Sequence, residues 1–236
     1  MAGGKIKAII FDIGGVVVDS PIMAIRNFCV QRSISDLNHF LFSSSTWAAT
    51  ERGQLAWSRF AEAALQECQD KGFSDGISLG LDGWRELQRA IKEGGVRPRV
   101  PMLRAITRLR AAGFVVAALT NNIAPEGAAE SSGLQRLRSL FDHFVESSVT
   151  KMRKPEPDFY AHALRVVGCE AAQAVFLDDI GKNLKPAKDM GIFTIHVQNE
   201  TPLQYLEALQ KLQGLLSIKL LEDEDFKVPA ETTSKL

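Results

Sequence analysis

Cysteine is scarce in this chain of 236 residues: Cys29, Cys68 and Cys169 are far apart, odd in number and form no C-x-x-C pair. That excludes a disulfide framework and a cysteine zinc site, and it points to a reducing compartment. An excess of charge of either sign is missing too, because 28 basic and 28 acidic residues cancel. No overall field therefore draws the chain to nucleic acid or to an anionic membrane. No apolar run reaches the roughly 18 residues of a membrane span, and Met1–Lys7 does not read as a secretory signal. These absences lead us to expect a soluble intracellular protein without membrane insertion. Apolar material is ample: a 45% hydrophobic content suits one large domain, or a core with a smaller insert.

The stretch KAIIFDIGGVVVDS, Lys7–Ser20, organises the rest. Ala8, Ile9, Ile10 and Phe11 form a short unbroken apolar run, which suits a strand buried on both faces of a parallel sheet. Asp12 follows at the carboxyl end of that strand, where open α/β sheets place their ligands. Gly14 and Gly15 come next and allow a sharp turn and a close backbone approach. A carboxylate in that position can serve as nucleophile or metal ligand, or it can simply cap a turn.

From Pro21 to Arg97 the texture is helical, with no convincing alternating strand. Residues 21–97 are expected to be a helical cap over the strand ends, leaving 1–20 and 98–216 as the core. Within this insert Gly72, Phe73, Ser74, Asp75 and Gly76 match the G-x-S-x-G pattern of a nucleophile elbow. That motif needs a strand before the serine, and here a helix precedes it. Gly72–Gly83 is expected to be a glycine-rich connection and Ser74 no nucleophile.

Regular alternation resumes after the insert. Pro101 and Gly113 bracket a helix whose arginines at 104, 108 and 110 read as a solvated face. FVVAALT is the next buried strand, ending on Thr120 with Asn121 and Asn122 behind it. A hydroxyl and backbone N–H groups there can hold an anion or make a polar turn. FDHFVESS gives another short strand, and a helix starts near Pro157, with Lys154 just ahead of it. AVFLDD repeats the opening pattern and places Asp178 and Asp179 at a strand end; Asn183 is expected to cap the following helix. IFTIHVQ is the last strand, and its His196 reads as a core or edge residue. Residues 217–236 read as an exposed, mobile tail ending in Ser234, Lys235 and Leu236, the tripeptide recognised by the peroxisomal import receptor. A peroxisomal destination is therefore expected.

Asp12, Asp178 and Asp179 offer hard oxygen ligands suited to Mg²⁺, and gathered carboxylates without a cation would repel one another. Thr120, Asn121 and Lys154 offer donors and positive charge suited to a phosphoryl group. In order and spacing, IIFDIGG, VAALTNN, RKPEP and VFLDDIGKN resemble the four motifs of the haloacid dehalogenase superfamily, mostly Mg²⁺-dependent phosphatases. The run AVFLDDIGKNLKPAKDMGI resembles in particular the N-terminal phosphatase domains of mammalian soluble epoxide hydrolases. The α/β-hydrolase domain that hydrolyses epoxides in those proteins has no room in this chain.

The resemblance implies a Rossmann-like α/β core with an inserted helical cap, and phosphoryl transfer to nucleophile Asp12 from a small phosphate ester. It implies Mg²⁺ held by Asp12, the Gly14 carbonyl and Asp179, with Asp178 and Asn183 behind these ligands. Thr120, the Asn121 N–H and Lys154 would hold the phosphate. One position departs from the pattern: most phosphatases of the superfamily have a general acid–base Asp where this chain has Gly14. A catalytically impaired member that binds a phosphorylated ligand or a protein partner is therefore an alternative reading. A metal-free dehalogenase is a weaker one, because paired Asp178 and Asp179 argue for a metal.

Overall fold

The opening apolar run forms strand β1 (Ala8–Phe11), buried along its whole length. The chain is seen here in a computed structural model that describes residues 5–34, 37–93, 97–126, 132–199, 201 and 203–227. Five helices follow β1: α1 (Pro21–Gln31), α2 (Leu37–Ser43), α3 (Ser45–Glu51), α4 (Phe60–Lys71) and α5 (Ser74–Glu93). Helix α6 (Val100–Ala111) then leads into strand β2 (Val115–Thr120). Next come α7 (Ser132–Ser139), β3 (His143–Glu146), the single turn α8 (Ser147–Thr150) and α9 (Pro157–Val167). The chain continues through β4 (Ala174–Asp178), α10 (Gly181–Asp189), β5 (Phe193–His196) and α11 (Leu206–Leu216).

The five strands form one parallel sheet in the order β3-β2-β1-β4-β5. β1 lies at its centre, so both faces of the strand meet helices, and the period-two rule sorts its side chains. Ile9 and Phe11 pack with Met102 and Ile106 of α6 and Leu209 and Leu212 of α11. Ala8 and Ile10 face the other layer, with Phe159 and Tyr160 of α9 and Ala187 of α10. This is a Rossmann-like α/β core.

The inserted helices have a core of their own. Ile25, Phe28, Leu37, Phe40, Phe60, Trp84 and Leu87 are buried together there. Phe40 stacks on Phe73, and Trp84 meets Phe60 edge-on. The cap rejoins the sheet where Val18 bridges both Gly14 and Pro98.

Three expectations are corrected. Gly72–Gly83 is not a loop: Gly72 ends α4 with a left-handed φ of 67°, and α5 begins at Ser74. Gly80, at φ 59° and ψ -179°, breaks α5 into two helical stretches, and Gly76 serves packing. A Cβ on Gly76 would sit 2.3 Å from Cys68 Sγ, and the Gly76 carbonyl accepts the Trp84 indole N–H at 2.9 Å. Ser74 starts a helix and α4 precedes it, so the strand that a nucleophile elbow needs is missing, as expected.

The segment after Ser217 is likewise no free tail as far as residue 227. Leu220 and Leu221 are buried in the core, and Asp225, also buried, pairs with Arg104 at 2.9 Å. Arg108 donates to the Leu220 carbonyl, so two of the three arginines assigned to a solvated face receive this segment. Ser234, Lys235 and Leu236 lie outside the described residues.

Candidate active site

Parallel strands deliver their last residues to one edge of the sheet, and pairing fixes which ones meet. The Asp12 N–H donates to the Leu177 carbonyl at 2.8 Å, and the β1–β4 register pairs Phe11 with Leu177. Asp12 therefore stands beside Asp178 and Asp179. The three carboxyl groups each offer an oxygen within 4.8 Å of the others.

Lys154 joins them from the loop before α9. Its side chain is 1% exposed, and Nζ lies 2.8 Å from Asp12 Oδ1 and 2.8 Å from Asp178 Oδ2. Burial alone would lower the Lys154 pKa, but the two carboxylates outweigh it and raise it. Burial pushes the Asp12 carboxyl well above its ordinary value, Lys154 pulls it back, and Asp178 and Asp179 push it up again. Asp179 rises to about 6, mainly through burial and then through Asp178. Such neighbours favour a bound cation.

The carboxylates differ in how fully they are used. Asp178 Oδ1 accepts the Ile180 N–H at 2.7 Å, and Asn183 Nδ2 donates to both Asp178 oxygens at 3.1 Å. With Lys154 added, Asp178 has no oxygen to spare. Asn183 is thus not the expected cap: it lies inside α10, and its carbonyl accepts the Tyr160 hydroxyl at 2.7 Å. Asp179 Oδ1, in contrast, is buried with no hydrogen-bond partner among the described residues. A buried unpaired carboxylate oxygen is costly. That orphan, beside Asp12, fits a divalent metal with oxygen ligands.

Gly15 explains how Asp179 comes so close. Its φ is 80°, and a Cβ there would fall 2.0 Å from Asp179 Oδ2. The Gly15 carbonyl is held by Arg99 Nη1 at 2.6 Å and Asn199 Nδ2 at 2.7 Å, and the same amide reaches Asp179 Oδ2 at 3.1 Å. Gly14 lines the cavity in front of Asp12.

Thr120 is buried at the end of β2, beside β1, with its hydroxyl 3.4 Å from the Asn121 carbonyl. The Asn121 side chain turns to Lys154: Oδ1 accepts the Lys154 N–H at 2.9 Å and Nδ2 donates to the Lys154 carbonyl at 3.0 Å. All the residues assigned from the sequence thus meet at one edge of the sheet.

The cavity there measures about 260 Å³. The core lines it with Asp12, Gly14, Asn121 and Lys154, and the cap with Ile22, Ile25, Phe42, Trp47, Ile91 and Glu51. Sequence reasoning missed Glu51, Arg153, Arg99 and Asn199. Arg153 adjoins Lys154 and was open to inspection; Glu51 lies in the cap, where no motif marks it. Burial raises the Glu51 pKa and Arg153 pulls it back.

Strand-end carboxylates beneath a helical insert define a Rossmann-like α/β protein with an acidic site fit for a divalent cation. The family model of haloacid dehalogenase-like hydrolases matches residues 6–191, and the chain belongs to that family. Among relatives, bifunctional epoxide hydrolase 2 of Sus scrofa is 32% identical over 169 residues, covering 69% of this chain and 30% of its own length. Sesquiterpene phosphatase astK of Aspergillus oryzae is 30% identical over 200 residues, covering 81% of this chain and 89% of its own. The chain spans less than a third of the longer curated relatives it matches, at 19% and 30% of their length. The structure of a HAD-like family hydrolase from Porphyromonas gingivalis shares the fold at a TM-score of 0.58 and 18% identity, covering 89% of this chain and 98% of that one.

Proposed function

We propose that this hydrolase is a Mg²⁺-dependent phosphatase that works through an aspartyl-phosphate on Asp12 and takes a small ester with an apolar alcohol. The observation that carries the reading is the arrangement at the strand ends. Asp12 is held by a buried lysine, and Asp179 beside it keeps a buried oxygen with no partner among the described residues.

Lys154 Nζ and the Ile13 N–H, at 2.6 Å, hold Asp12 Oδ1 and orient the carboxylate. An Asp12 oxygen attacks phosphorus while the bond from phosphorus to the alcohol oxygen breaks. The alcohol departs with its electron pair and takes a proton from solvent. Water then attacks the aspartyl-phosphate, loses a proton, and frees both phosphate and the Asp12 carboxylate. Throughout, Lys154, the Thr120 hydroxyl and the Asn121 N–H offset charge on the transferred group. Asp12, Asp179 and the Gly14 carbonyl would hold Mg²⁺, which when bound neutralises the crowded carboxylates and the phosphate oxygens.

The apolar alcohol is inferred from the cap side of the cavity, where Ile22, Ile25, Phe42, Trp47 and Ile91 offer hydrocarbon. The name of the fungal relative, a sesquiterpene phosphatase, agrees with that choice. Gly14 favours one second reading, a member that binds a phosphorylated ligand or protein partner without turnover. Hydrolysis of a generic aryl phosphate with Mg²⁺, and again with EDTA, separates the two. Turnover that EDTA removes supports the phosphatase, and no turnover under either condition rejects it.

A further inference from the structure

Glu51 belongs to the cap, at the last position of α3, yet its carboxylate is bound by the core. Oε2 accepts the Asn121 side-chain N–H at 3.3 Å and the Nε and Nη2 of Arg153, each at 2.5 Å. Its main-chain carbonyl accepts the Ser147 hydroxyl at 2.6 Å, and Ser147 Oγ in turn accepts the Asn122 N–H at 2.9 Å. One cap residue is therefore tied to both residues that follow Thr120. Its neighbours add to the seam: Arg52 pairs with Glu156, and Lys151 Nζ donates to the Gly53 carbonyl at 3.2 Å.

Asn121 passes the connection inward, because its amide grips the Lys154 main chain at both N and O. Lys154 then bridges Asp12 and Asp178. A continuous line of polar contacts runs from the cap through Asn121 and Lys154 to Asp12. Two features make this more than a seam. An asparagine amide can rotate, and Glu51 is the contact that ties it to the cap. The Arg153 side chain is 14% exposed, so removing its carboxylate would leave a poorly solvated guanidinium unpaired.

We propose that Glu51 is a positioning residue that couples seating of the cap to alignment of the phosphate-binding groups. With Glu51 docked, the Asn121 amide and the Lys154 backbone are held for the incoming phosphoryl group. With the cap lifted, they lose that support. The donors from Asn121 and Arg153 all meet Oε2, where the Glu51 carboxylate serves as acceptor. The inference rests on the phosphatase reading for its functional meaning, while the coupling itself can be measured without turnover.

The test compares wild type with Glu51→Gln, which keeps the shape and removes the charge, and Glu51→Asp, which keeps the charge. Hydrogen exchange is followed over 119–123 and 152–156, with α4 as the control for general loosening. Binding of inorganic phosphate with Mg²⁺ and kcat and KM for an aryl phosphate are measured on the same proteins. Charged hydrogen bonds of this kind sustain roughly a tenfold effect. Glu51→Gln should exchange faster over 119–123 and 152–156 with α4 unchanged, and lose roughly tenfold in phosphate affinity and in kcat, with KM moving less. Glu51→Asp should recover part of each loss. A wild type that binds phosphate but hydrolyses no ester would defeat the phosphatase reading and leave the exchange result to decide the coupling. Exchange over 119–123 and 152–156 equal to wild type, or faster everywhere including α4, would overturn it.

Discussion

Gly14 and Gly15 are adjacent and make opposite demands. Gly15 holds a left-handed φ of 80°, and a side chain there would meet the Asp179 carboxylate at 2.0 Å. Gly15→Ala should therefore damage the site and the fold together. The backbone alone costs about 1–2 kcal/mol, and Asp179 must move away from Asp12. Thermal unfolding and phosphatase rate, measured on one preparation, should both fall. A variant with full activity would show that Asp179 need not sit there. Gly14 is not among the described residues of positive φ, so its backbone imposes no such limit. Under the proposed function its missing carboxyl leaves the departing alcohol without the acid usual at that position, so aryl and other good leaving groups should be favoured over alkyl phosphates. Gly14→Asp should narrow that gap by raising alkyl turnover. Equal wild-type rates on both ester classes would contradict the account.

At the scale of elements, the sequence was most legible where burial on two faces demands continuous apolar residues. Ala8–Phe11 and Ala174–Leu177 could be little else, and the aspartates that end them fall where expected. Helix α5 was illegible for a local reason. Glycines 76, 80 and 83 mimic a loop, but Gly76 exists to admit Cys68 and Gly80 marks a break, with φ 59°. Arg104 and Arg108 were misread because their partners are more than 110 residues away in sequence.

Helix α3 is secured by Glu67 of α4. Its carboxylate accepts the N–H groups of Ser45 and Thr46 at 2.8 and 2.9 Å and the Ser44 hydroxyl at 2.6 Å. Burial would raise its pKa, but these donors and Lys71 prevail and hold it well below the ordinary 4.5. A depressed folded pKa stabilises above the unfolded value and loses that stability as pH falls through the folded one. Wild type should accordingly lose stability more steeply than Glu67→Gln as pH falls below about 5. Parallel Tm curves for the two proteins would exclude this role.

For the whole molecule, the proposed function assigns chemistry and selection to different parts of the chain. The strand ends supply Asp12, Lys154 and Asp179, and the motifs there were readable because each residue type has a chemical reason to follow its strand. The cap wall was not readable, since Ile22, Phe42 and Ile91 meet only after five helices pack. Phe42 lines the cavity and is 43% exposed, so it adds little to the cap core. Phe42→Ala should raise KM for apolar phosphate esters several-fold and leave small polar esters and Tm unchanged. A uniform change across all esters would remove Phe42 from substrate selection.

In the proposed reaction Asp12 carries the phosphoryl group during turnover. Without an acid–base carboxyl at position 14, breakdown of that adduct should be slow enough for it to accumulate. The most direct measurement is acid quenching of wild-type enzyme within the first turnovers of an aryl phosphate with Mg²⁺, followed by peptide mass spectrometry. One phosphoryl group is expected on the peptide containing Asp12, absent from Asp12→Asn and absent with EDTA. Turnover with that peptide unmodified, or with the phosphoryl group on another residue, would contradict the proposed reaction.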